Sequence, residues 1–171
     1  INGLTDNTVN GFGVDSGFIH VVLVNDSTNK VVADTVCGVN GAFTFSSLGA
    51  APYSVRVTSL AAVIGFLPPA VALPANWVNT GEHFGTGAGS DGTVDGILHL
   101  DSVLTNVSNV NLGIEQRPQT NTTTSTTNNG NPTGVIFYTV SNNLFGGNDY
   151  NGGSIDAIRI TAFPTNTTTL S

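Results

Sequence analysis

Three carboxylate side chains stand close together in the middle of this sequence, among glycines and without a lysine or arginine. They are Glu82, Asp91 and Asp95, in the stretch NTGEHFGTGAGSDGTVDGI at residues 79–97. Glycines adopt positive φ easily, so such a stretch can fold around an ion, and Ca²⁺ takes six to eight oxygen ligands. The pattern predicts a calcium site at these acids, with a solvated glycine loop as the alternative.

The same acids could form the carboxylate pair of a glycosidase, since such enzymes place two carboxyl groups several ångströms apart. Only Trp77 and Phe84 flank them as aromatic residues that a sugar could stack on. The run GTGAGSDG lacks the GK[ST] ending of a phosphate-binding loop and the spacing of a nucleophile elbow. We therefore expect that the protein is not an enzyme.

Cys37 is the single cysteine, so the chain has no intrachain disulfide. The three histidines show no Cys–His spacing typical of a thiol-dependent enzyme, and His20 and His99 lie inside strand-like runs. We expect Cys37 to be a small buried residue in or after a strand.

The charge composition limits the partners of this protein. Its 171 residues include 11 acidic and 4 basic ones, for a net charge of −7, and only 9% are charged. Nucleic acids are held mainly by Lys and Arg, so we expect no nucleic-acid partner. The longest apolar run, 60–73, is broken by Pro68 and Pro69, so no membrane span is expected.

Short runs rich in Val, Ile, Phe and Tyr recur between clusters of Gly, Asn, Asp and Pro, which is typical of strands joined by turns. None has helical spacing, and NDSTNK at residues 25–30 predicts a turn between the first two runs. This spacing predicts an all-β Greek-key sandwich over residues 1–115. The predicted strands are 17–24, 31–36, 42–48, 52–59, 97–104 and 109–114.

A change of composition follows this predicted domain. Residues 116–133 form a Thr/Asn-rich tract, which predicts an extended linker. Residues 134–171 contain two strand-like runs, 134–141 and 154–162, and two strands cannot bury a core of their own. We expect this C-terminal β segment to join the first sandwich or to complete a neighbouring copy by strand addition, which would build an open filament.

The stretch VVLVNDSTNKVVADTVCGVNGAFTFSSLGAAPYSVRVT at residues 21–58 resembles the B-type domains of bacterial collagen adhesins and serine-aspartate repeat proteins. GSDGTVDGI and NVNLGIEQ continue the likeness, which covers about residues 1–116. The whole chain looks like the repetitive surface proteins that Bacteroidota secrete. The resemblance implies an immunoglobulin-like or transthyretin-like sandwich in an extracellular, cell-surface protein.

The resemblance also implies calcium near the amino end. Asp6 and Asn10 lie in NGLTDNTVNG, which is similar to the loop that opens B-type domains, and they are candidate ligands, with a polar turn as the alternative. Some B-type domains carry a Lys–Asn isopeptide bond. The only lysine here, Lys30, is in the predicted hairpin turn, so we expect no isopeptide bond.

Several short motifs point to attached glycans. Asp-[Ser/Thr]-[apolar or Thr] resembles the O-glycosylation signal of secreted Bacteroidota proteins, and it makes Ser27, Thr35 and Ser102 candidates. N-x-[ST] triplets are also present, but a chain this rich in Asn and Thr produces them by chance.

Three function classes follow. The first is a structural subunit of a filament or adhesin stalk whose partners are copies of itself. The second is a carbohydrate- or protein-binding module with Trp77, Phe84 and Tyr150 as possible contacts. The third is an accessory domain of a secreted hydrolase. The sequence favours the structural class.

Overall fold

The fold is all-β. A computed structural model describes residues 18–38, 41–84, 91–120 and 146–148. These residues form eight strands in antiparallel sheets and no α-helix, so the expectation of an all-β chain is confirmed for them. No helix in the described ranges is long and apolar enough to cross a membrane.

The strands form one sheet of four and two sheets of two. The larger sheet has the order β2-β1-β3-β5, the small sheet pairs β4 with β6, and β7 pairs with β8. The chain passes between the larger and the small sheet at each step from β3 to β6. The strands are β1 His20–Asn25, β2 Lys30–Val36, β3 Ala51–Thr58, β4 Trp77–His83, β5 Ile97–Val103, β6 Asn111–Gln116, β7 Gln119–Thr120 and β8 Gly147–Asn148.

The first hairpin forms where the sequence predicts it. β1 and β2 are joined by a four-residue turn at 26–29, in which Asn29 has a φ of 52°. The Thr28 N–H donates to Asn25 Oδ1 at 3.1 Å, so the asparagine stabilises the turn through its side chain. Lys30 is the first residue of β2, and Arg56 lies within β3.

One apolar core joins the two main sheets. Alternate residues of β1, β3 and β5 face it, and Ile114 of β6 closes it from the small sheet. Cys37, just after β2, is buried in this core, as expected. The buried members are Ile19, Val21, Leu23, Cys37, Tyr53, Val55, Val57, Leu98, Leu100 and Ile114.

The other face of the larger sheet is also covered. Val22, Val24 and Val31 form a second buried cluster, and Ala62 packs against it. Ala62 belongs to a loop that follows β3, and we call residues 60–67 of this loop the apolar loop. Both faces of the β1–β2 hairpin are therefore in apolar contact.

The prediction of a strand at 42–48 is wrong. These residues have no paired strand, although Phe43 and Phe45 pack on the core while their neighbours Ala42, Thr44 and Ser46 are exposed. The two rings contact each other at a centroid distance of 5.9 Å. The alternation of burial is that of a strand, but a strand also needs a hydrogen-bonding neighbour.

β4, in contrast, is not among the strands that the sequence predicts. Its sequence, WVNTGEH, contains polar side chains at positions that the sheet buries, so it lacks the apolar alternation of a strand. The first part of the glycine-rich and acid-rich stretch at 79–97 is thus a strand, which ends at His83.

The chain divides into two compact units, Ile1–Arg117 and Pro118–Ser171. In the first unit, the Arg117 N–H donates to the Asn76 carbonyl at 2.7 Å, just before β4. In the second unit, β7 and β8 form a short antiparallel pair. The predicted C-terminal strands at 134–141 and 154–162 lie outside the described residues.

Candidate functional site

The site begins on β4, where a β-bulge changes the side on which residues lie. Asn79 pairs with Ile114 and Glu82 with Leu112, and the register shifts at Thr80. Because their partners are two residues apart on β6, Asn79 and Glu82 lie on the same face of the small sheet. The bulge thus turns two polar side chains toward the core side.

The Glu82 carboxyl is 0% exposed and ties β4 to the residues before β5. Its Oε1 accepts from the backbone N–H groups of Asp95 at 2.9 Å and Gly96 at 2.6 Å. Burial raises the pKa of Glu82; the two N–H donors lower it, and the charges of Asp91 and Asp95 raise it further. Desolvation is the largest of these effects, so the pKa of this carboxyl lies above its ordinary value.

Asp91 and Asp95 accept hydrogen bonds along the outer edge of β5. The Ile97 N–H donates to Asp95 Oδ1 at 2.9 Å, and the His99 N–H donates to Asp91 Oδ2 at 3.3 Å. β5 is an edge strand of the larger sheet, and N–H groups two residues apart point to the same side. The two aspartates therefore cover N–H groups that an incoming strand would use.

Gly96 allows the side chains of Asn79 and Val71 to lie close to the backbone just before β5. Its φ is +82°, and a Cβ at this position would lie 2.8 Å from the Asn79 Nδ2 and 2.9 Å from a Val71 methyl. Only glycine adopts this conformation in this space without strain. The Asn79 side chain thus lies against the Cα of Gly96, and the Glu82 carboxyl accepts from the Gly96 N–H.

Two observations bear on whether this site fits a metal ion, and they point in opposite directions. Within the described ranges, no group of three or more His, Cys, Asp or Glu side chains is placed to hold a metal ion. Asn79 Oδ1, Thr80 Oγ1 and Glu82 Oε2 are nevertheless buried without a hydrogen-bond partner, and such oxygens suit a hard cation. Calcium at Glu82, Asp91 and Asp95 stays a prediction.

Two other predicted ligands, Asp6 and Asn10, lie outside the described residues. The three glycosylation candidates lie in different elements of the first unit. Ser27 and Ser102 are exposed, in the first turn and on β5, whereas Thr35 is half-buried on β2.

Two of the histidines on strands, His20 and His99, contact aspartates of neighbouring segments. His20 Nδ1 lies 2.9 Å from Asp34 Oδ1, which links β1 to β2, and His99 Nδ1 lies 3.0 Å from Asp26 Oδ2. Asp34 also accepts from the Ala62 N–H at 2.9 Å, so it fixes the apolar loop to β2. These contacts hold segments of the fold together.

The aromatic residues proposed for ligand binding are only partly available. Trp77 packs edge-on against Phe18, with 6.3 Å between ring centroids, and against the main core. Phe84 is partly exposed, and Tyr150 lies outside the described residues. The Trp77 ring therefore has a packing role, which does not favour a carbohydrate-binding function.

The apolar loop is the surface that the sequence interpretation missed. Leu60, Val63, Ile64, Phe66 and Leu67 are all exposed in it. One sequence signal marks this region, since no charged residue lies between Arg56 and Glu82. The two prolines that follow the loop argue against a membrane span, but they do not reveal a contact surface.

Comparisons with known proteins identify no family for this chain. No family model, no curated protein and no solved structure matches it. The resemblance to B-type domains therefore stays a prediction, and the functional interpretation rests on the described residues.

Proposed function

We propose that this protein is a non-catalytic structural protein of the bacterial cell surface, a subunit of a self-assembling filament or of an adhesin stalk. The observation that carries the proposal is that the three acids of the candidate site are hydrogen-bonded to the backbone. Glu82, Asp91 and Asp95 each accept hydrogen bonds from backbone N–H groups. Carboxylates bonded in this way stabilise loops and strand edges, which is what a rigid structural module requires.

Assembly by β-strand complementation is the second part of the proposal, and the sheet edges support a particular acceptor. In the larger sheet, Asp91 and Asp95 cover the N–H groups of Ile97 and His99 in the first part of β5. At its other edge, the Val31 N–H donates to the Phe66 carbonyl at 2.9 Å. The small sheet has only β4 and β6 in the described part of the chain. The incoming strand therefore adds to the small sheet, where main-chain groups form the new ladder.

The donor in this proposal is the C-terminal segment at 134–171 of another copy, which contains the apolar runs GVIFYTVS and SIDAIRITA. The fold in the proposal is a Greek-key, immunoglobulin-like or transthyretin-like sandwich. An extracellular setting agrees with a chain of only 9% charged residues that has one cysteine. O-glycans at Ser27, Thr35 and Ser102, and calcium, belong to the same proposal.

Removal of residues 118–171 tests this mechanism. We expect the full chain to form fibres in negative-stain electron microscopy and the shortened chain, ending at Arg117, to form none. Circular dichroism of the shortened chain provides the control for folding, and a β-rich spectrum is expected. Fibres of equal length and number from both chains would contradict strand donation by the C-terminal segment.

A further inference from the structure

The apolar loop exposes an unusual amount of apolar surface for a polar, acidic protein. Val63 is 62% exposed, Ile64 64%, Phe66 68% and Leu67 70%, and Leu60 at the start of the loop is 45% exposed. Single exposed apolar residues are common, but clusters of large ones mark interaction sites. The loop contains five within eight residues of sequence.

The backbone of this loop is held in place by the larger sheet. The Val31 N–H donates to the Phe66 carbonyl at 2.9 Å, and the Gly65 N–H donates to the Val31 carbonyl at 2.8 Å. The Ala62 N–H donates to Asp34 Oδ2. A surface that is ordered before binding loses less conformational entropy when a partner binds. The loop is therefore a prepared contact surface.

Phe66 and Leu67 expose most of their surface, whereas Ala62 is half-buried against the sheet. Ala62 packs on the buried cluster of Val22, Val24 and Val31, and the exposed residues flank it in sequence. A small or polar residue at Phe66 or Leu67 would leave this cluster covered. We therefore expect the stability of the β1–β2 hairpin not to depend on apolar residues on the outward side of the loop.

We propose that the apolar loop is a contact surface between two copies of this chain, with the loop of one copy packed against the loop of the other. This inference rests on the proposed self-assembly and names a surface for it. Each copy has a net charge of −7, so most approaches bring acids together. The loop itself has no charged residue, and the two charged residues of β2, to which it is bound, are of opposite sign, Lys30 and Asp34, so contact there brings less of this repulsion.

A lipid surface fits the same loop less well. Membrane-binding segments combine apolar side chains with Lys and Arg that contact anionic headgroups. Here the loop has no basic residue, β2 supplies only Lys30, and the chain as a whole is acidic. A second copy supplies an apolar surface without requiring any basic residue.

The test uses the full chain and two matched variants. Leu67→Glu introduces a charge into the proposed contact, and Leu104→Glu makes the same change at a leucine that is 73% exposed and lies just after β5. We expect sedimentation velocity over a concentration series to show self-association of the wild type. The association constant should fall at least about tenfold in Leu67→Glu and stay unchanged in Leu104→Glu, with equal melting temperatures for both variants.

The outcomes separate this inference from the proposed function. Association that is retained in Leu67→Glu but lost when residues 118–171 are removed overturns the loop contact and supports strand donation. Equal loss in both leucine variants also overturns the loop contact, because it shows a general effect of charge. Binding of the wild type, but not of Leu67→Glu, to phosphatidylcholine vesicles without self-association assigns the loop to a membrane instead. A wild type that is monomeric at every concentration overturns both proposals.

Discussion

Glu82 shows how one buried carboxyl organises this part of the fold. Its Oε1 holds two backbone N–H groups, while its Oε2 has no partner in the described part of the chain. An ionised carboxylate in such a place is destabilised by desolvation more strongly than a neutral group of the same shape. The protonation state of Glu82 is therefore linked to the stability of the folded chain.

The first prediction concerns the pH dependence of this link. Because the pKa of Glu82 is raised in the folded state, its protonated form contributes stability below the ordinary value of about 4.3, which is lost as the pH rises through the raised pKa. Glu82→Gln is neutral at all pH values and retains the Oε1 acceptor. The melting temperature of this variant should exceed that of the wild type by a margin that grows as the pH rises above about 4 and becomes constant above the raised pKa.

Asp101→Asn, at an exposed carboxylate on β5, controls for the removal of one negative charge. Both variants are measured with a chelator present, so that no divalent cation contributes. A margin for Glu82→Gln that stays constant, or shrinks as the pH rises, would show that desolvation does not dominate at this carboxyl.

Calcium is the subject of the second prediction. If the ion binds near Glu82, Asp91 and Asp95, it relieves their mutual repulsion and adds stability by mass action, about 2.7 kcal/mol at a concentration 100 times the dissociation constant. The melting temperature of the wild type should then be higher in calcium than in chelator, and Asp95→Asn should reduce the difference. Identical melting curves in calcium and in chelator would exclude this site.

At the scale of elements, the loop from Asp91 to Gly96 links the edge of the larger sheet to the small sheet. Its side chains cover N–H groups of β5, and its backbone is bound to Glu82 of β4. The close packing at Gly96 places these groups together. The geometry at one glycine thus determines how the two sheets are joined.

The third prediction compares two glycines of this loop. Gly92 has a φ of +96° and open space within 4 Å of the point that a Cβ would occupy, whereas Gly96 combines a φ of +82° with contacts below 3 Å. Gly92→Ala should destabilise the chain by about 1–2 kcal/mol, the strain of a left-handed residue. Gly96→Ala should lose about 1–3 kcal/mol more, because the Asn79 amide and Val71 must move.

Urea unfolding monitored by circular dichroism measures both changes. Since the two variants share the same substitution and a similar φ, their difference isolates the steric contact at Gly96. Equal free energies of unfolding for the two variants would mean that Asn79 moves aside without loss.

The elements that the sequence predicts well are those with apolar alternation and a clear turn. β1, β2, β3, β5 and β6 all fall within or beside predicted runs. The run at 42–48 has the same alternation but no strand to pair with, and pairing depends on residues far away in sequence. The sequence does not predict β4, because a β-bulge places the polar Asn79 and Glu82 on the core side.

The candidate site is predictable in its residue types but not in its bonds. Acids among glycines indicate an oxygen-rich loop, which is the basis of the calcium prediction. In the structure, carboxylate oxygens of Asp91 and Asp95 accept from N–H groups of β5, an edge strand that cannot be located before the sheet order is known. The exposure of the apolar loop also depends on tertiary packing, so its composition alone does not reveal it.

At the scale of the whole molecule, two properties of the surface oppose each other. The net charge of −7 keeps copies apart, while the exposed side chains of the apolar loop favour contact between them. The range of the repulsion depends on salt, with a Debye length of about 10 Å at 0.1 M and about 3 Å at 1 M. Apolar contact does not weaken in this way.

The fourth prediction follows from this balance. Self-association of the wild type should become stronger between about 0.05 M and about 0.5 M NaCl, because salt screens the repulsion between acidic copies. Sedimentation velocity at several concentrations measures the association constant in each buffer. Weaker association at the higher salt would indicate that ion pairs, and not apolar contacts, hold the copies together.

The positions of the basic residues affect how fast trypsin-like proteases digest this protein. Trypsin-like proteases cut after Lys or Arg and prefer mobile loop tips. In the described ranges these residues are Lys30, Arg56 and Arg117: the first two lie in paired strands, and the third precedes Pro118, a bond that such proteases cleave poorly. We therefore expect the first unit to resist tryptic digestion without a disulfide, which suits the extracellular setting that we propose.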